Sequence, residues 1–164
     1  MALIVEDGSI VIGANSYVSV AEIRAFCSAR GISLPVADPD VEVMAIQAFD
    51  YIESFRSRYK GRTTTDNQRT SWPRSGVVIE CYSVPSNEIP WQLKEAQSQA
   101  TGEALEADLM PNSTAAVKRE KVDVLEVEYQ DSVADGVPLS FPKIDSKLEI
   151  LMGSSGYRVR VVRG

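Results

Sequence analysis

Apolar residues recur at spacings of three and four through Val41, Met44, Ala45, Ala48, Ile52, Phe55 and Tyr59. A single stripe of that period predicts an amphipathic helix. Asp38-Pro39 opens it, an N-cap aspartate followed by proline at the first helical position. Arg56, Arg58 and Lys60 crowd its far end, where cations suit the helix dipole, and Gly61 stops it. The helix is therefore predicted over 38–60. A shorter one is predicted over 20–30. There Ser19-Val20-Ala21-Glu22 forms a capping box, and Gly31 is placed to end the helix in the left-handed conformation. A third runs from Ile89-Pro90-Trp91 to about Leu109, with Leu93, Ala96 or Gln97, Ala100, Ala104 and Leu109 as its stripe. The stripe is thin and rich in alanine, which permits close approach of another helix. Gly102 costs this helix about 1 kcal/mol against alanine.

Beyond Met110-Pro111-Asn112 the period changes. Residues 121–129 read K-V-D-V-L-E-V-E-Y, with Val122 and Val124 on one face and Val127 and Tyr129 after a one-residue shift at Leu125. A bulged strand, or two short strands, has that pattern. A loop over 131–140 follows. Phe141-Pro142 then opens a short last helix with Ile144, Leu148 and Leu151 on one side. The chain finishes in GSSGYRVRVVRG, where a glycine-serine hinge precedes an alternating stretch with no partner strand. The predicted fold is mainly α: a small bundle of three to four helices with a minor β element and an extended C-terminal tail. The division is 1–152 as a helical domain and 153–164 as a flexible arm.

Composition narrows the chemistry. The 164 residues have an apolar fraction of 44%, enough for one domain with its own core. No run of about 18 apolar residues is present, so no membrane helix is expected. The N-terminus MALIVEDG does not read as a signal peptide. There is no histidine, which removes the Ser-His and Cys-His constellations and the commonest general base. Cys27 shares a helical face with Ile23 and Phe26 and reads as a core thiol. Two separated cysteines cannot close a zinc site. No phosphate-cradling glycine loop or nucleophile elbow is found. The chain reads as non-enzymatic, with no cofactor and no metal.

Charge is unevenly spread. The net charge is −6, yet 56–74 holds six cations (Arg56, Arg58, Lys60, Arg62, Arg69, Arg74) and one anion, Asp66. That local excess of five leaves −11 for the remainder. The stretch also holds Trp72-Pro73. It can be a solvated helix end, a structural plug, a nucleic-acid surface of cations and a π-face, or an interface in which Trp and Arg are favoured anchors.

The chain resembles a family of tailed-bacteriophage proteins known as DnaT-like single-strand binders, encoded among virion structural genes and similar to head–tail adaptors, or connectors. The matching stretches are MALIVEDG, ANSYVSVAE, Ala48-Phe-Asp-Tyr-Ile with the basic turn to Gly61-Arg62, Gln68 with Trp72-Pro-Arg-Ser-Gly-Val, Ile89-Pro-Trp-Gln-Leu-Lys-Glu-Ala, and Val117-Lys-Arg-Glu-Lys-Val. Ser9-Ile-Val-Ile12 departs from the pattern, being more apolar than the turn expected there. The resemblance implies a virion protein of the neck: a ring of twelve copies below the portal protein, with a tail-proximal neck or tail-completion protein on its other side. Double-stranded DNA would pass through without specific binding. On that reading Trp72 and Pro73 anchor the loop on the second helix, and Arg62, Arg69 and Arg74 face an acidic neighbouring subunit. Tyr157, Arg158, Val159, Arg160, Val161 and Arg163 of the arm dock on the portal. Two unlike faces are what a heterologous ring interface requires. The acidic excess suits a conduit, since affinity for DNA needs the opposite sign. The alternative is an accessory protein that binds single-stranded DNA, as the family's name says.

Overall fold

The computed structural model describes residues 2–111 and 141–153. Among them are four α-helices and two small antiparallel two-stranded sheets. The expected mainly helical fold is what the chain adopts. Helix α1 (Val20–Ser28) starts at the capping box: Ser19 Oγ accepts from the Glu22 N–H, and the Glu22 carboxylate accepts from the Ser19 N–H. It buries Ile23 and Cys27. Helix α2 (Asp38–Glu53) has its proline in the first turn and buries Val41, Ala45, Ala48, Phe49, Tyr51 and Ile52.

Helix α2 stops seven residues short of Lys60, where the stripe predicted its end. Ser54 Oγ donates to the carbonyl of Tyr51, a local bond that competes with helical continuation. A 3-10 turn over Arg56–Arg58 follows, and Tyr59 is extended. Tyr59 nonetheless returns to the helix it left. Its hydroxyl donates to the Ile52 carbonyl, one of the acceptors that a helix C-terminus leaves open.

The β structure lies where the sequence read as loop. Strand β1 (Arg62–Thr63) pairs with β2 (Arg74–Ser75), and β3 (Val78–Ile79) with β4 (Tyr82–Ser83). Each pairs only two residues per strand, too few for a visible alternation. The strand expected over 121–129 lies outside the described residues, as do the loop over 131–140 and the alternating part of the arm.

Helix α3 (Trp91–Glu103) packs against α1, α2 and α4 (Pro142–Glu149). It is the centre of the bundle and is buried nearly all round, including Gln97, Ser98, Gln99 and Thr101. A thin stripe was expected. The small side chains admit neighbours on three sides, so the polar positions are buried with the apolar ones. Gln97 is satisfied there: Oε1 accepts from the Tyr17 N–H, and Nε2 donates to Ser16 Oγ and the Ala45 carbonyl. Thr101 and Ser98 return their hydroxyls to carbonyls one turn back. The larger core gathers Tyr17, Phe49, Ile52, Tyr59, Trp72, Leu93, Ile144, Leu148 and Leu151 around α3, and a smaller one lies between α1 and α2.

Candidate nucleic-acid interface

The six cations of 56–74 sit on the 3-10 turn, on the link from it to β1 (Lys60), on β1 and β2 and on the loop between those strands. That loop is held from inside. Trp72 and Pro73 are both buried, and the Trp72 ring meets Tyr59 edge to face at 5.8 Å. The backbone N–H of Trp72 donates to the Tyr17 hydroxyl, which itself donates to Glu53 at the end of α2. Glu53 also accepts from the backbone N–H and the hydroxyl of Ser71. Gln68 ties the loop across its width, donating to the carbonyls of Thr70 and Pro73 and accepting from the Thr64 N–H.

Several cations also hold the backbone. Arg74 is 7% exposed and donates to the carbonyls of Lys60, Ser71, Gly61 and Tyr59. It does not face outward toward a neighbour, as the sequence reading had it. With four carbonyls within reach it is a structural clamp. Burial, and then Arg56 nearby, pulls its guanidinium below the ordinary value. Arg56 donates to the carbonyls of Arg69 and Gln68, and Lys60 to that of Ile150. Arg58 lies over the Phe55 ring at 5.3 Å. The guanidinium groups of Arg62 and Arg69 are exposed and make no hydrogen bond or ion pair among the described residues. Arg56, Arg62 and Arg74 line an open groove with Ser54, Ser57, Gly61 and Thr63.

Among the described residues, none of these six cations has a carboxylate ion-pair partner. The ion pairs among the described residues lie elsewhere: Arg24–Asp38, Arg30–Glu95, Lys94–Glu22, Lys143–Glu103 and Lys147–Glu95. Carbonyl oxygens orient a guanidinium without cancelling its charge. The stretch therefore carries a local excess of five positive charges, without ion pairs among the described residues, on a protein of net −6. Two exposed aromatics also lie near in sequence, Tyr82 on β4 and Trp91 opening α3. The sequence pattern marks Trp91 only as part of a helix start and gives Tyr82 no role.

Residues 1–164 match the family model described as "Putative DnaT-like ssDNA binding protein". The chain belongs to this family. No curated protein and no solved structure matches it significantly. The family description names single-stranded DNA and says nothing of a portal, a tail or a ring. No described helix is long and apolar enough to cross a membrane. Tyr157, Arg158, Val159, Arg160, Val161 and Arg163, the expected portal-docking residues, lie outside the described residues.

Proposed function

We propose that the chain binds single-stranded DNA through the cationic face of residues 56–69, without sequence preference. One observation carries this reading. Arg56, Arg58, Lys60, Arg62 and Arg69 are held together on one short stretch, and none of them forms an ion pair with a carboxylate among the described residues. Carbonyl clamps fix the backbone, while Arg62 and Arg69 stay available for phosphate. The membership of a family named for single-strand binding supports it. The acidic remainder opposes it, so affinity is modest and steeply salt-dependent rather than tight. Log K should fall with log salt at about 0.7 per phosphate neutralised. The test is fluorescence anisotropy of a labelled oligothymidylate across a salt series. Arg58→Ala, Arg62→Ala and Arg69→Ala should each weaken binding and flatten the slope by about 0.7. No binding at about 50 mM salt, or binding indifferent to all three changes, would reject the proposal.

A second reading draws on the same charge separation. A local +5 against −11 elsewhere makes two unlike faces, which suits head-to-tail association of copies into a closed ring. In a virion neck such a ring would lie between a portal protein and a tail-proximal protein and let double-stranded DNA pass. Mass photometry of the free protein, and of the protein mixed with a portal, distinguishes the two. A ring that leaves single strands unbound favours the adaptor.

A further inference from the structure

We infer that Tyr82 and Trp91 are base-stacking platforms for the strand whose phosphates the cationic face holds; the inference rests on the single-strand reading above. Tyr82 is 79% exposed and Trp91 64%. Neither makes a ring contact or a side-chain hydrogen bond among the described residues. In this they contrast with Trp72, Tyr17, Tyr51 and Tyr59, which are buried. Isolated exposed apolar residues are ordinary. These two differ in chemistry and in placement. Each offers a flat π-face, the surface on which bases stack regardless of sequence.

Their placement follows from one hydrogen bond. Thr64 Oγ1 donates to the carbonyl of Ser86 at 3.0 Å, which fastens the segment between β4 and α3 to the loop just after β1. Arg62 is two residues before Thr64. Tyr82 lies four residues before Ser86 and Trp91 five after it. Even a fully extended chain puts them no more than about 14 Å and about 18 Å from that tie. The tie therefore keeps both aromatics within one short span of chain from the segment that carries Arg62. Cations for phosphate and flat faces for bases are the two components of a sequence-tolerant single-strand site. The positive charge selects a polyanion, and the π-faces select one with bases.

The intrinsic fluorescence of the whole chain reports the contact, because Trp72 is fully buried and Trp91 is the exposed indole. Titration with an oligothymidylate of about 16 nucleotides should quench it. Tyr82→Ala and Trp91→Ala should each weaken strand binding by about 5- to about 140-fold. The salt slope should be unchanged, since no phosphate contact is lost. Tyr82→Phe and Trp91→Phe should keep most of the affinity. Inorganic polyphosphate, which has charge and no bases, should bind all four variants like the original chain. Both side chains are exposed, so melting should not move. If the strand binds with its salt slope intact while fluorescence is flat and both alanine variants bind within about twofold, the platforms are wrong and the phosphate contacts stand. If no strand binds at all, the reading beneath falls and this inference with it.

Discussion

Tyr17 places one hydroxyl at the junction of three segments. It donates to Glu53 on α2 and accepts from the Trp72 N–H, while its own backbone N–H is held by Gln97 of α3. Tyr17→Phe would leave a buried amide and a half-buried carboxylate each short of a partner, and should cost about 1–3 kcal/mol in urea denaturation. Trp72→Ala should cost about 3–5 kcal/mol, since the indole is fully buried in the larger core. A Trp72→Ala chain that unfolds at the original midpoint would show that the loop is not anchored there. Alkali tests the same cluster. Burial, then the charge of Glu53, pushes Tyr17 well above the ordinary tyrosine value, and the same causes raise Tyr59. Burial, then Asp145, pushes Tyr51 up to about 12. Folded tyrosines keep protons that the unfolded chain has lost above its ordinary value of 10.0. Their stabilising contribution is therefore whole below about pH 10 and drains away from there through about pH 12. The urea midpoint should be level between about pH 7 and about pH 9, then drop, and the drop should be shallower in Tyr17→Phe. A midpoint still level at about pH 11 would mean these hydroxyls reach solvent.

At the scale of elements, α3 shows why a weak sequence signal can mark the central helix. Most of its residues are small or polar, and buried Gln97, Ser98, Gln99 and Thr101 each find a side-chain hydrogen-bond partner. Gly102 illustrates the consequence. Propensity alone says that alanine there gains about 1 kcal/mol. In the fold, a Cβ on Gly102 would lie 3.2 Å from Ile32 Cδ1 and 3.3 Å from its Cγ2. Gly102→Ala should therefore bring little or no gain, and Gly102→Val should lose about 1–3 kcal/mol through overpacking. A gain of the full propensity value in thermal melting would show that α1 and the residues after it yield freely. The β1–β2 pair is constrained in a similar way at Gly61. There φ is +69° and an added Cβ would come within 2.4 Å of the Ser75 carbonyl oxygen. Gly61→Ala should disturb the ladder that sets Arg62 opposite Ser75 and so weaken strand binding along with stability.

Over the whole molecule, one helix joins two cores. Helix α3 touches α1 beside the smaller cluster and lines the larger one with Leu93, Ala96 and Ala100. The clusters should therefore unfold together, as small single domains do. In a Trp91→Phe background, Trp72 fluorescence reports the larger core and far-UV circular dichroism reports all helices. The two denaturation curves should coincide. Curves that separate would mean that α1 and the first part of α2 melt on their own.

The helices were legible in the sequence because their signals are local. A capping box at Ser19, proline after Asp38, and proline after Phe141 each act within one turn of chain. Apolar spacing then predicts the buried face, as it did for Ile23, Ile52, Ile144 and Leu148. The positive stretch was legible too, because charge can be counted without coordinates. What each cation does was not. Arg62 and Arg74 look alike in sequence. The pairing of β1 with β2 encloses Arg74 among four carbonyls and leaves Arg62 without a side-chain partner among the described residues, and that pairing depends on contacts between segments distant along the chain. The end of α2 at Glu53, the burial of Gln97, and the tie from Thr64 to Ser86 have the same origin. Local sequence set where helices begin and which face is apolar. Only the packed chain decided which polar groups are consumed in holding it together and which remain for a partner, since a hydrogen bond between distant residues exists only once the fold has brought them within reach.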